Sequence, residues 1–258
     1  MTFKMKKWFF RVAVAASCIF GAANATAAER VVIGTGTTAA GNIFFRIQEP
    51  ISISDDIKLV IIAGGPVQAL KDLDIGMVEA AVGGAPFSDW MTMMENAGYA
   101  VPNSQAYKSQ VIGKDIIQVI TNKDVMVAAL SKEQLDSIFS GKTKNWSEVG
   151  GPDRSIVLFM NTKSPGTQFV FQKQILGGKA YASEMIMLNS DSELKPRVKG
   201  TPGAIALATQ AQIDESVNVP TIPIVERPIT LITKGAPSDK LEKVLAFIRG
   251  PGLQYIVK

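Results

Sequence analysis

Histidine is absent from the 258-residue chain, and cysteine occurs once, at Cys18. The first absence excludes Ser-His-Asp and Cys-His chemistry, together with the usual zinc and transition-metal sites. The second excludes a disulfide framework, so the fold must stand on its apolar core, which a chain of this length can supply. There is also no run of about twenty apolar residues, the length a membrane-spanning helix needs.

A surplus of one charge is missing too, once the N-terminus is set apart. Lys4, Lys6, Lys7 and Arg11 form a basic start, "VAVAASCIFGAA" a short apolar stretch, and "NATAAER" offers small-residue cleavage sites. That order of features predicts a secretory signal peptide over residues 1–28, cleaved near Ala27 or Ala28, and hence a periplasmic protein. "AASC" lacks the leucine-type residue expected three positions before a lipidated cysteine, which argues against an anchor at Cys18. The leader holds four of the 27 basic residues and none of the 23 acidic ones, so the rest is formally neutral. Nucleic acid therefore gains no electrostatic attraction and is not an expected partner.

What is present is an alternation of β-branched runs with helical patterns, the mark of an α/β chain. "RVVIGT", "IKLVIIA", "DIGMVEAAVG", "KDIIQVITN", "SIVLF", "GAIALAT", "VPTIPIV" and "RPITLIT" read as strands. "AAGNIFFRIQ", "PVQALKDL", "FSDWMTMMENAG", "SKEQLDSIFSG", "GTQFVFQKQIL" and "SDKLEKVLAFIRG" read as helices, with a Ser-x-x-Gln capping box opening the fourth. No repeat, low-complexity tract or dividing linker interrupts them.

Several short motifs invite chemistry. Gly34-Thr-Gly36-Thr-Thr-Ala39 fits a loose dinucleotide fingerprint, but the strand that should end in an acid is followed by Ala63 and Gly64. What survives is a hydroxyl-rich loop, Thr35, Thr37 and Thr38, either a helix cap or a grip on an anion. "SGKT" at Ser140–Thr143 is not a phosphate loop, since its first glycine would fall on Asp136 and it follows a helix. "WMTMM", Trp90 to Met94, reads as packing rather than a soft-metal site. Asp55-Asp56 and Asp72/Asp74 lack calcium-loop spacing and read as turn and cap residues. "NTKSPGTQF", Asn161 to Phe169, is either an ordinary Ser-Pro helix opening or an oxyanion grip at a helix start.

One block is more specific. "LSKEQLDSIFSGKTKNWSEVGGPDRSIV" resembles the "FxGKxxNWxxVGG" segment of phosphate ABC-transporter substrate-binding proteins. "GTGTT", "APFSD", "SPGTQFVF", "PGAIALA" and "ERPITLITKGAPSDKLEKVLAFIRGPGLQYIV" agree in order and spacing. The resemblance implies a type II periplasmic binding-protein fold, two α/β lobes joined by two crossover strands near Ser109–Thr121 and Pro223–Thr233. It implies lobe 1 over residues 29–112 plus 226–258, lobe 2 over 113–225, and a ligand cleft between them.

The resemblance also implies a function: binding inorganic phosphate or another small oxyanion, as a monomer, for an inner-membrane ABC permease. It involves no cofactor, no metal and no catalytic residue, so the protein is not expected to be an enzyme. The implied ligand set is Thr37, Thr38, Gly65, Asn161, Ser164, Gly166 and Thr167. The family's aspartate, which accepts a hydrogen bond from protonated phosphate, falls on Gly84, and its arginine falls on Asn161. Its serine falls on Pro165, while Lys163 offers charge on the same loop. A chain so altered has a second reading, a non-transport interaction or sensor module that keeps the fold without the clamp.

Overall fold

The computed structural model describes residues 28–101, 103–162 and 165–256. The expected signal peptide, but for its last residue, lies outside them. The first half of the fold is built on β1 (Glu29–Thr35), whose inner residues Val31 and Ile33 are fully buried. β1 pairs in parallel with β2 (Ile57–Ala63) on one side and with β3 (Ala80–Gly83) on the other. Parallel neighbours need a crossover, and both crossovers are helical. The first is one continuous stretch, α1 (Thr37–Ala39), a π-helical turn over Ala40–Phe44, and α2 (Phe45–Asp55). The second is α3 (Pro66–Asp74), which packs so closely on β1 that a Cβ on Gly34 would stand 3.1 Å from the Ala69 Cα. Gly34 therefore serves helix–strand packing, not a nucleotide. α4 (Phe87–Asn96) then buries Trp90, Met93 and Met94, the packing role expected of that cluster.

Two long antiparallel strands join the halves: β4 (Tyr107–Thr121), and β8 (Val225–Lys234) returning beside it. In the second half, α5 (Lys132–Phe139) opens with the expected capping box, Ser131 with Gln134. β5 (Val157–Asn161), α6 (Pro165–Gln174), β6 (Ile186–Leu188), α7 (Asp191–Gly200) and β7 (Ala204–Thr209) follow. The chain closes with α8 (Asp239–Arg249), which lays Leu241, Val244, Leu245 and Ile248 against the first half. The sheet runs β2-β1-β3-β8-β4-β7-β5-β6, so the crossover strands lie at its middle. These are the two α/β lobes and two crossover strands that the resemblance implies.

Four points differ from these expectations. "DIGMVEAAVG" is a strand only from Ala80, because Gly76 turns the chain at φ 74°. "VPTIPIV" is no strand before Val225; Pro220 and Pro223 have no N–H for a ladder, and only a bridge from Thr221 to Ala129 forms. β6 and α7 are additional: a three-residue strand and a helix interrupted by Pro196, with Leu194 and Val198 as its buried side chains. Asp74 is more than a cap, since its carboxylate accepts from Tyr99, Tyr107 and Lys234.

Candidate functional site

The centre of the molecule carries an ion pair on the crossover strands themselves. Asp115 on β4 and Arg227 on β8 are direct cross-strand partners. Arg227 Nε and Nη2 both donate to Asp115 Oδ2, at 2.8 and 2.6 Å, and each side chain is only 2% exposed. Nη2 also donates to Thr38 Oγ1 at 3.2 Å, and Asn42 Nδ2 reaches the other carboxylate oxygen at 3.4 Å. A charge so deeply buried is tolerable only when paired and hydrogen-bonded, as this one is.

Gly84 makes the arrangement possible. A Cβ there would lie 2.6 Å from Arg227 Nε and 2.7 Å from Cζ, well inside contact distance. The position where the resemblance places an acidic side chain thus has to be bare for this guanidinium to fit. Among the described residues, the guanidinium at this centre stands on β8, whereas Asn161, where the resemblance places an arginine, ends β5.

Helix starts converge on the same centre. Thr37 and Thr38 open the helical stretch after β1, and Gly65 is the N-cap of α3 at φ 88°, a conformation that favours glycine. Gly166 and Thr167 lie in the first turn of α6, both buried. A Cβ on Gly166 would stand 3.7 Å from Arg227 Nη1 and 3.8 Å from the Pro66 ring, so the first turns of α3 and α6 approach each other around the guanidinium. Opening turns of helices present backbone N–H groups and the positive end of the helix dipole, the elements of an anion site. Lys173 on α6 and Asp89 on α4 add an ion pair between the lobes at 2.7 Å.

Thr37, Thr38, Asn161 and Thr167 line one cavity of about 150 Å³, to which Asn42 and Gly41 of the π-helical turn also contribute. Gly65 borders a different space of about 370 Å³, with Thr37 on one side and Asn189, Ser190 and Ser192 on the other. Gly166 faces Arg227 and Pro66 as described. Ser164 and Lys163 lie outside the described residues. The expected residues are thus divided between two spaces that meet at Thr37.

Sequence reasoning missed Arg227, Asp115 and Asn42. A signal was available: "KDIIQVIT" and "ERPITLIT" each carry a charged residue inside or beside an apolar crossover strand, where a lone charge needs a partner. Nothing in the order of the residues says that the two charges fall in register.

The comparisons agree with this architecture. A family model described as "PBP superfamily domain" matches residues 22–244. A phosphate-binding protein PstS of Bacillus subtilis is 40% identical over 102 residues, 39% of this chain and 34% of that one. A PstS of Staphylococcus saprophyticus is 26% identical over 194 residues, 67% of this chain and 56% of its own. The chain therefore spans between about a third and just over half of these relatives. In three dimensions it is similar to a Clostridium perfringens structure described as a phosphate ABC transporter substrate-binding protein with bound phosphate. That likeness has a TM-score of 0.74 and 22% identity, covering 89% of this chain and 99% of the other. With most of its length matched and the two-lobe fold in place, this chain belongs to the PBP superfamily-domain family.

Proposed function

We propose that the protein is a periplasmic solute-binding receptor of an ABC importer, taking phosphate or a related oxyanion into the cleft between its lobes. The observation that carries this reading is Arg227, held by Asp115 and Thr38 where the first turns of α3 and α6 meet. Its names come from the relatives, which are phosphate-binding proteins.

The Asp115–Arg227 pair is neutral as a whole, so attraction comes from oriented donors rather than net charge. Thr37, Thr38, Thr167 and the N–H groups around Gly65 and Gly166 are the donors we assign. An oxyanion meeting donors on both lobes would hold them together, with β4 and β8 as the hinge between lobe 1 (29–112 plus 226–258) and lobe 2 (113–225). Charge-assisted bonds to an anion are each worth roughly 1.5–3 kcal/mol, enough for a few of them to give micromolar binding. The closed form would be presented to an inner-membrane permease. Among the described residues no helix is long and apolar enough to cross a membrane.

Calorimetric titration of the refolded, dialysed protein with phosphate, and with sulfate as control, tests this. Micromolar binding of phosphate supports the receptor. Absence of heat and of any thermal shift with either anion at millimolar concentration overturns it and favours the interaction or sensor module.

A further inference from the structure

One charged contact away from the crossover strands ties the two halves of the fold together. Lys173 Nζ on α6 lies 2.7 Å from Asp89 Oδ1 on α4. Among the described residues, every other ion pair stays within one half or has a partner on β4 or β8.

The two partners are unlike. The Asp89 side chain is 8% exposed and sits in the first turn of α4, where the helix dipole favours a carboxylate. Its own half of the fold therefore supports its charge. The Lys173 side chain is 61% exposed, and its ammonium ends a flexible four-carbon stem that can turn to water at small cost. A fixed acid and a mobile arm make a contact that can break and re-form.

The place of Lys173 on α6 decides what the contact controls. Gly166 and Lys173 are separated by two helical turns, so they share one face of α6, about 10 Å apart. At the start of that face a Cβ on Gly166 would stand 3.8 Å from the Pro66 ring of the first half. One end of the face thus reaches the centre assigned to the anion, and the other carries the ion pair. Drawing α6 away from α3 and α4 must separate Lys173 from Asp89.

We infer that Lys173 and Asp89 form a latch that favours the closed arrangement of the halves and slows ligand release without touching the ligand. The effect on release rests on the receptor reading above; the latch itself does not. Removing the lysine charge moves the open–closed balance toward open by about threefold. Reversing it moves the balance by about tenfold, since like charges repel about as strongly as opposite ones attract.

The test measures distances between spin labels at Asn96 and Ala180, exposed positions on the two halves. Asn96→Cys and Ala180→Cys are made in a Cys18→Ser chain, refolded and dialysed free of anion. The short-distance population should be largest in this parent and with Lys173→Arg, smaller with Lys173→Met, and smallest with Lys173→Glu. Salt at about 0.5 M should move the parent toward Lys173→Met and leave Lys173→Met in place. Asp89→Asn combined with Lys173→Met should match Lys173→Met alone, a non-additivity that two separate structural roles would not produce. Added phosphate should restore the short distance in Lys173→Glu, with affinity about tenfold weaker than in the parent.

Identical distances in the parent and a folded Lys173→Glu overturn the latch, as does a parent whose distances ignore salt, even if a variant fails to fold. Phosphate binding of equal strength in both would then leave the receptor reading standing. Distances that shift as expected while phosphate binds to no variant uphold the latch and overturn the receptor reading.

Discussion

Arg227 and Asp115 face each other in register across the two crossover strands, with Nη2 and Oδ2 2.6 Å apart and both side chains 2% exposed. The pair lies on the two strands that join the halves of the fold. A ligand seated against it would therefore engage the segment on which any closing movement turns.

The bareness of Gly84 is open to direct test. Gly84→Ala places a methyl group 2.6 Å from Arg227 Nε. Overpacking of this kind costs about 1–3 kcal/mol, and the guanidinium must leave its place. The expected outcome is a lower melting temperature together with at least a tenfold loss of phosphate affinity, read by thermal unfolding and calorimetry on one preparation. Unchanged affinity would mean that Arg227 does not contact the anion.

Removing one partner of the ion pair should differ sharply from removing both. Asp115→Ala leaves a buried guanidinium uncompensated and should destabilise the protein by about 3–5 kcal/mol. Replacing both, Asp115→Leu with Arg227→Met, should restore much of that loss, because well-packed apolar side chains carry no desolvation penalty. Urea unfolding measures the recovery. Anion binding should be lost in the double variant, which separates the structural role of the pair from its role in the cleft.

A second polar cluster sets part of the acid dependence. Tyr99 and Tyr107 donate to Asp74 at 2.6 and 2.7 Å and Lys234 at 3.0 Å, which holds the carboxyl at about 2, below its ordinary 3.8. The bond to Asp74 pushes the Tyr99 phenol up, and burial, followed by its own bond to Asp74, pushes up that of Tyr107. A carboxyl lowered in the folded state contributes stability that is present above pH 3.8 and lost as pH falls toward 2. Wild type should thus exceed Asp74→Asn in stability at pH 6, and the gap should narrow between pH 4 and pH 2. Chemical unfolding of both proteins across that interval measures it; a constant gap would refute the assignment.

A change far from the cleft provides the contrast. Ser131 accepts from Gln134 N at 3.2 Å while Gln134 Oε1 accepts from Ser131 N at 2.8 Å, closing the start of α5. Ser131→Ala should cost about 1 kcal/mol of stability and leave phosphate affinity unchanged. A loss of affinity would show that α5 is coupled to the site.

Much of the fold was legible because its causes are local. β1, β2 and α3 begin and end within a residue or two of their apolar patterns, and the box at Ser131 and Gln134 announced α5 outright. α7 was not legible, because it buries few side chains and holds Pro196, so its periodicity is faint; packing on β5 and β7 holds it instead. "VPTIPIV" misled for the opposite reason: its β-branched residues suit a strand, but its prolines leave the ladder without donors.

The order of residues alone determined the α/β alternation, the missing histidine chemistry, and the glycines and threonines that open helices on the cleft, all of which depend on short-range sterics and hydrogen bonding. Which charge the cleft would present was decided only in three dimensions. Asp115 and Arg227 are 112 positions apart, and their pairing depends on the register of β4 against β8 and on the absence of a side chain at Gly84. Distant residues acquire a shared chemistry when the sheet brings them into contact, and that contact is written in no local pattern.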